Sequence, residues 1–294
     1  MTTQQLEHVT NPTIRTASLA DADRCGQIFY NAFAAIANLH NFPVEPGSPE
    51  FANYKTGELL EAHGIHGVVA EHDGTIVGSA FADERSAITG IGPVAVDPTS
   101  QNAGVGTALM RSLLQRQHDR NASGVRLVQT AYHSRSLALY ARLGFIVREP
   151  LSVLQGTLPS KEIGHLIVRP ARLEDGEECA ALCVAIHGHD RKAERQQAIE
   201  AGTATVVERG ASIVGYATGF GYGWHAVAEN NEALIAMLSS APSFMGLGIL
   251  VPSRNGELLR WCLQSGMRLI QQSTLMTIGL YNEPAGAWLP SIVY

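Results

Sequence analysis

The sequence predicts an α/β fold with a mixed sheet, arranged as two tandem domains. Three observations predict it. Short apolar strand patterns alternate with amphipathic helical patterns, a strand passes through a glycine-containing loop into a helix, and the second half repeats the order of the first. The chain has 294 residues, a length greater than one hydrophobic core typically serves. Apolar residues make up 45% of it, enough for two cores. We therefore expect two domains, residues 1–156 and 157–294.

Elements of the first domain are predicted in the order β-α-α-β-β-β-α-β-α-β. Ser18 is a candidate N-cap for the first helix, and His72-Asp73-Gly74 is a strong hairpin turn. After a polar tail at 1–12 we predict a strand at 14–17, a helix from 18, a proline- and glycine-rich loop at 37–50 and a helix at about 49–63. Strands follow at 67–71 and 75–81, then a strand ending at 94–96 and a helix from 104. The domain ends with a strand at 125–130, a helix from 133 and a last strand over 145–154 that closes it.

Residues 94–107 carry the first functional pattern. Val94 and Val96 belong to a strand that Pro98 stops, because proline cannot continue a ladder. Two glycines then open a helix, and the free N–H groups of a first helical turn favour an anion. We interpret this stretch as a pyrophosphate cradle built from Val94, Val96, Gln101, Asn102, Ala103, Gly104, Val105, Gly106 and Thr107.

Spacing separates this loop from two other phosphate-binding patterns. A Walker loop requires a lysine after its second glycine, and no lysine lies in or near residues 94–107. A dinucleotide fingerprint requires a third glycine, but that position is Met110. The remaining pattern is a Val-x-Pro strand end followed by Gln-x-x-Gly-x-Gly, which the chain matches at Val96, Pro98, Gln101, Gly104 and Gly106.

A second pattern follows in the helix from 133. It consists of Ser136, Leu139, Tyr140, Gly144 and Phe145. In this order the two patterns resemble motifs A and B of the GNAT acyltransferase superfamily. His133 departs from motif B, where asparagine is usual.

The resemblance implies acetyl-CoA as co-substrate and an amine as acceptor. In relatives the strand containing Val94 and Val96 pairs with the pantetheine arm, the glycine loop holds the pyrophosphate, and Ser136 falls in the CoA-binding motif. Tyr140 stands where relatives place the tyrosine that protonates the leaving thiolate. Many relatives carry a glutamate base on the motif A strand, but residues 89–93 contain none. The general base is therefore either a water relay or one of Asp83, Glu84 and Glu45, and the sequence does not choose among them.

The second domain is predicted to be a degenerate copy. Its segments align with the first at offsets that fall from 154 to 137 to 122 residues, so it has lost chain in two places. It lacks the glycine loop and has Cys262 at the tyrosine position. We expect one acetyl-CoA per chain and a structural or substrate-shaping role for this domain, with Trp288 and Tyr294 buried between the copies.

Composition excludes several classes of function and partner. A net charge of −6 disfavours nucleic acid, and no apolar run is long enough to span a membrane. Neither the four cysteines nor the histidine clusters have metal-ligand spacing, so no metal is expected. The absence of an export signal predicts a cytoplasmic protein, and a homodimer is one possible oligomeric state. The predicted function is N-acetylation of a primary amine, on a small molecule or a peptide N-terminus; the alternative is a non-catalytic acyl-CoA sensor.

Overall fold

The computed structural model describes residues 11–292, so residues 1–10 of the predicted tail and Tyr294 lie outside the described residues. The first copy has the predicted element order. Its strands are β1 (Thr13–Thr16), β2 (Ile65–His72), β3 (Thr75–Asp83), β4 (Ile88–Val96), β5 (Gly124–Thr130) and β6 (Ile146–Gln155). Its helices are α1 (Ala22–His40), α2 (Pro49–Glu61), α3 (Val105–Asp119) and α4 (Ser134–Arg142).

The second copy repeats the same order. Its strands are β7 (Ile167–Pro170), β8 (Thr205–Arg209), β9 (Ser212–Ala217), β10 (Ala226–Ala228), β11 (Ile249–Pro252) and β12 (Arg268–Gly279). Its helices are α5 (Gly176–His187), α6 (Lys192–Glu200), α7 (Asn231–Ser240) and α8 (Gly256–Gln264). A last strand, β13 (Ala287–Leu289), follows and pairs with β10.

One ion-pair cluster occurs in both copies at matching places. Arg15 on β1 pairs with Asp21 at 2.8 Å and donates from Nε to Glu71 on β2 at 2.9 Å. The corresponding residues of the second copy, joined in the same way, are Arg169, Asp175 and Glu208. In each copy the cluster ties the start of the first helix to the first two strands.

The two copies exchange their last strands. The larger sheet has the order β1-β2-β3-β4-β5-β12-β6-β11, so β12 of the second copy lies between β5 and β6 of the first. β12 pairs with β5 over residues 273–279, and β6 pairs with β12 and β11. The prediction that the strand at 145–154 closes the first domain by itself is therefore wrong. Strand pairing is non-local, and the sequence of one strand does not specify its neighbour.

One predicted boundary differs. α1 continues to His40 because Ala37 is buried and Asn41 ends the helix in a left-handed conformation, so the loop covers only 41–48. β4 extends back to Ile88, and pairing with β3 holds its glycines and proline in the strand. In the second copy α7 occupies the place of α3, and it begins after Asn230 instead of a glycine.

A core cluster joins the copies. It contains Ile88 and Leu151 of the first copy and Leu275 and Trp288 of the second, and Trp288 is buried as predicted. The smaller sheet, of order β13-β10-β9-β8-β7, belongs to the second copy. Between residues 11 and 292 the structure contains no helix with the length and apolar character of a membrane span.

Strand exchange makes the first copy dependent on the second. A fragment ending at residue 156 leaves both edges of β6 and one edge of β5 unpaired, so we expect it to lose cooperative melting. The matched control is the full chain with a protease site inserted in the linker 157–165. After cleavage at that site the two halves should still melt as one unit. A monomeric 1–156 fragment with one sharp calorimetric transition would contradict this.

Candidate active site

A cleft opens in the sheet between β4 and β5. These parallel strands pair only where Ile88, Thr89 and Gly90 meet the start of β5, and they separate beyond that point. On its other side β4 remains paired, with Val94 opposite Ala80. In the described chain no strand fills the gap, so backbone groups of residues 91–96 and 127–130 face it. An extended ligand carrying amides can bind such an edge as an added strand does.

The cradle lies at the mouth of this cleft. Gln101 donates from Nε2 to Val96 O at 3.2 Å and shapes the loop. Gly104, at φ 80°, is the N-cap of α3, and no side chain caps the helix. The first intrahelical bond runs from Ala108 N to Gly104 O, so the preceding N–H groups point out of the helix end.

Two glycines of the cradle have different surroundings. A side chain at Gly104 would meet no protein atom within 4 Å, so this position borders open space. At Gly106 an added carbon would lie 3.4 Å from Leu139 of α4, in ordinary van der Waals contact. Ala103, between the loop and α3, packs at the edge of the first copy's core. The open side of the loop is therefore at Gly104.

Arg135 is a cradle residue that the sequence analysis missed. It is exposed on α4, and its guanidinium donates to Gln101 Oε1 at 3.0 Å and to Asn102 Oδ1 at 3.4 Å. It adds a positive charge to a helix end that already favours anions. Its place in the first turn of the motif B helix was the only sequence signal, and that signal does not reveal contact with the loop.

Tyr140 lies in the core that borders the cleft. It is 9% exposed, and its ring centroid is 5.9 Å from that of Phe145. Burial raises the pKa of Tyr140 to about 12, so the hydroxyl keeps its proton at neutral pH. It belongs to the same cluster as Ile91 of β4 and Leu127 of β5, the strands that form the two walls of the cleft. Such a hydroxyl can donate a proton to a strong base such as a thiolate.

Ser136 and His133 make different hydrogen bonds from each other, and neither resembles Tyr140 in its surroundings. The Ser136 hydroxyl donates to His133 O at 2.9 Å and accepts from Gln129 Nε2 at 3.0 Å, so it ties α4 to β5. His133 Nε2 is buried and has no hydrogen-bond partner among the described residues. Burial lowers the pKa of His133 to about 4, with smaller contributions from Arg135 and His40. The imidazole is therefore neutral.

Two of the three candidate bases are committed to ion pairs. Asp83 accepts from Arg85 Nε at 2.8 Å. Glu84 pairs with Arg116 at 2.8 Å and with Arg120 at 3.0 Å. Burial by itself would raise the pKa of Glu84, but the hydrogen bonds and charges of these partners outweigh it and lower the pKa. A carboxylate whose ionised form is so well stabilised is a poor proton acceptor.

Glu45 has a different environment. It lies in the loop 41–48, and burial raises the pKa of this carboxyl to about 8. His40, the last residue of α1, is exposed, and its ring centroid is 5.6 Å from that of Tyr132 after β5. The loop therefore extends to the end of β5, where the cleft is open.

The corresponding groove of the second copy lacks a free helix end. Asn230 caps α7 by accepting from Ala233 N at 3.0 Å, and Asn255 caps α8 by accepting from Leu258 N at 3.2 Å. Cys262 is fully buried in the core. The charged residues that line this groove are Glu149, Glu229, Glu257, Glu283 and Arg254, and Arg254 pairs with Glu149 and Glu283. Across residues 11–292 no three side chains of the metal-binding types are gathered into a site.

The model of the acetyltransferase (GNAT) family matches residues 32–145. The structure is similar to a candidate acetyltransferase from Pyrococcus horikoshii, with TM-score 0.71 and 18% identity over 100% of this chain and 96% of that one. It is also similar to a GCN5-related N-acetyltransferase from Sphaerobacter thermophilus, with TM-score 0.60 and 14% identity over 92% and 96% of the two chains. These two similarities establish the fold. No curated protein matches the sequence.

Replacing Glu84 tests its structural role. Glu84→Gln removes two ion pairs and should lower the free energy of unfolding at neutral pH by ~1–2 kcal/mol, a modest loss because the arginines are partly exposed. Since the folded pKa is lowered, this contribution is present above the pKa of an unfolded glutamate and is lost as the pH falls through the folded value. Denaturant titrations of wild type and variant should therefore converge in acid. A gap independent of pH would contradict the pairing; exposed Glu61→Gln is the control.

Proposed function

Residues 32–145 match the model of the acetyltransferase (GNAT) family, and on this premise we propose that the chain moves the acetyl group of acetyl-CoA to a primary amine. The acceptor is a small molecule or a peptide N-terminus, and transfer is direct, within a ternary complex. The match to an acetyltransferase family supports an acyltransferase over the non-catalytic sensor. We also propose that residues 1–156 form the catalytic unit and residues 157–294 a unit that binds no CoA.

One observation supports this proposal most strongly. The uncapped N-terminus of α3 opens onto the gap between β4 and β5, and Tyr140 borders the same gap. An anion at the helix end, an extended amide arm along β4 and a sulfur near Tyr140 form one continuous path. CoA has its pyrophosphate, pantetheine and thiol in that order.

The proposed roles follow from the local chemistry. The N–H groups of residues 102–107 bind the pyrophosphate, and Arg135 adds a charge-assisted contact. Backbone groups at Val94 and Val96 pair with the pantetheine amides. Tyr140 donates the proton that the leaving thiolate requires. Ser136 acts in this scheme by positioning α4, since its hydroxyl is already bonded within the protein.

A single CoA per chain follows from the contrast between the copies. In the second groove asparagines cap the two helix ends. The lining carries four glutamates against one arginine, Arg254, which is already paired with Glu149 and Glu283. A pyrophosphate there would meet a net negative lining and helix ends that are partly satisfied. The buried, unpaired thiols of the described residues suit the cytoplasmic location that we propose.

Thiol release tests the function directly. The full chain is mixed with acetyl-CoA and a panel of primary amines, and free CoA is followed together with the mass of the acetylated product. Release that depends on an amine is the expected result. Binding of acetyl-CoA without transfer to any amine would favour the sensor and refute the enzyme assignment.

Gly104 tests the cradle. Gly104→Val places a branched side chain in the open space before α3 and strains a backbone at φ 80°, so acetyl-CoA binding should be lost in calorimetry. Gly210→Val is the matched control, because Gly210 also has positive φ and open surroundings but lies in the second copy. Wild type and control should each bind one acetyl-CoA. Unchanged affinity in Gly104→Val would refute the cradle.

Replacing Tyr140 tests whether it is the general acid. Tyr140→Phe keeps the packing with Phe145 but removes the hydroxyl, so kcat should fall roughly 10²–10⁴-fold with little change in acetyl-CoA affinity. Steady-state kinetics and calorimetry on the same preparation separate the two quantities. If kcat is unchanged, Tyr140 is only a core residue.

A further inference from the structure

Glu45 faces the open end of the cleft. It lies in the loop 41–48 and is partly buried. The ring of Phe42 stacks on that of Tyr132 with centroids 4.2 Å apart, which docks the loop beside the end of β5. Burial raises the pKa of Tyr132, and the nearby charge of Glu45 raises it further, so the two side chains are neighbours. The carboxylate is therefore fixed near the point where β4 and β5 have separated.

The second copy covers the other side of Glu45. Tyr222, between β9 and β10, is 3% exposed, and its hydroxyl interacts with Glu45 and with Ser273 on β12. Neither Tyr222 Oη nor Ser273 Oγ completes a well-formed hydrogen bond with a described residue. Backbone bonds to Met245 O and from Ile292 N, of 3.0 and 2.9 Å, hold Tyr222 in place. These buried hydroxyls therefore have bonding capacity left for a polar group beside Glu45.

β12 places this cluster on the opposite face of the sheet from Tyr140. Side chains alternate along a strand, so Ser273 shares a face with Leu275, which packs in the same cluster as Tyr222. Met276 faces the other way and packs in the cluster that contains Tyr140. A thioester in the β4–β5 gap would lie between the two faces, with Tyr140 on one side and Glu45 on the other.

Resting on the proposed acetyl transfer, we infer that Glu45 accepts the proton of the incoming amine and that Tyr222 and Ser273 of the second copy position it. The site for the acceptor is thus shared by the two copies. The base comes from the loop between α1 and α2, where motif-based reasoning gives no signal, and the hydroxyls come from elements far along the chain.

The transfer balances with these two residues. The amine binds as an ammonium and gives one proton to the Glu45 carboxylate. Its nitrogen attacks the thioester carbonyl, the C–N bond forms and the C–S bond breaks. Tyr140 gives its proton to the leaving sulfur and regains one from the nitrogen of the new amide. Glu45 then releases its proton to water, so ammonium and acetyl-CoA yield amide, CoA thiol and one proton.

The surroundings of Glu45 suit a base. Burial raises the pKa of Glu45 to about 8, against a smaller lowering by the Tyr222 hydroxyl. The titratable groups that face it are Tyr132 and Tyr222; burial raises the pKa of Tyr132 to about 12 and that of Tyr222 well above its usual value, so both stay neutral. The ring of His40 lies 5.6 Å from that of Tyr132, and its charge acts on His133. A base whose pKa lies near the working pH is the most effective.

The same surroundings define the acceptor class. Among residues 11–292 no arginine or lysine pairs with Glu45, so a carboxylate on the substrate would meet the unneutralised charge of Glu45. The aromatic side chains of Phe42, His40 and Tyr132 favour an ammonium on an apolar or aromatic group. The acceptor is a primary amine with no carboxylate on the neighbouring carbon.

A matched pair of amines tests this class on the full chain. 2-Phenylethylamine and phenylalanine differ only in the carboxylate, and kcat/KM should favour the former by at least about tenfold, the effect of one unfavourable charge contact. Turnover of phenylalanine at an equal or higher rate, or of neither amine, would overturn the acceptor assignment.

The pH profile tests Glu45. With 2-phenylethylamine, wild-type kcat/KM should rise with pH through a limb near pH 8. Glu45→Gln should lower it roughly 100-fold and remove the limb while keeping acetyl-CoA affinity. Tyr222→Phe should move the limb to higher pH, because the hydroxyl that favours the ionised carboxylate is gone. Ser273→Ala should act in the same direction, and exposed Glu61→Gln should change neither quantity.

Two results would overturn the inference in distinguishable ways. If Glu45→Gln turns over normally with the limb intact, Glu45 is not the base, although the acetyltransferase remains. If no amine releases thiol, the proposed function fails as well. Thermal melts give a readout free of activity. A raised folded pKa costs the wild type stability as pH rises from about 4.5 to about 8, so the melting temperature of Glu45→Gln should gain on wild type over that window. A constant gap would also overturn the inference.

Discussion

The antiparallel pairing of β12 with β5 is the interaction on which the site depends. It runs without interruption over residues 273–279 and fixes one edge of β5 to the second copy. The other edge pairs with β4 only at its beginning, which leaves the gap that we assign to CoA. The same strand carries Ser273 to one face and Met276, beside Tyr140, to the other. One strand of the second copy thus supports both sides of the first copy's chemistry.

The two copies show how one element order serves different purposes through its helix ends. α3 begins at a bare glycine in a left-handed conformation, so its N–H groups stay available. α7 and α8 begin behind asparagines, each of which accepts from one N–H group of its helix end. Glutamates outnumber the one arginine, Arg254, that lines the second groove, so the charge there disfavours phosphate. A second copy that keeps its packing but not its anion site can shape an acceptor pocket.

Three carboxylates that the sequence ranked equally have different chemistry in the fold. Asp83 and Glu84 form ion pairs with arginines, and we assign both a structural role. Glu45 has no such partner within the described residues, and burial against Tyr132 and Tyr222 dominates its pKa. The deciding term is desolvation by segments distant in sequence. Neither composition nor spacing carries that information.

The sequence by itself determined the order of elements and the fold class, and it alone suggested the cradle at Gly104 and the role of Tyr140 that we propose. These depend on local patterns: hydrophobic period, turn residues and glycines at a strand–helix junction. Only the tertiary structure decided the partner of β6, the full length of β4, the contact of Arg135 with Gln101 and the position of Glu45 beside Tyr222. Strand pairing and burial are set by residues far apart along the chain, and each becomes defined only when the copies pack together.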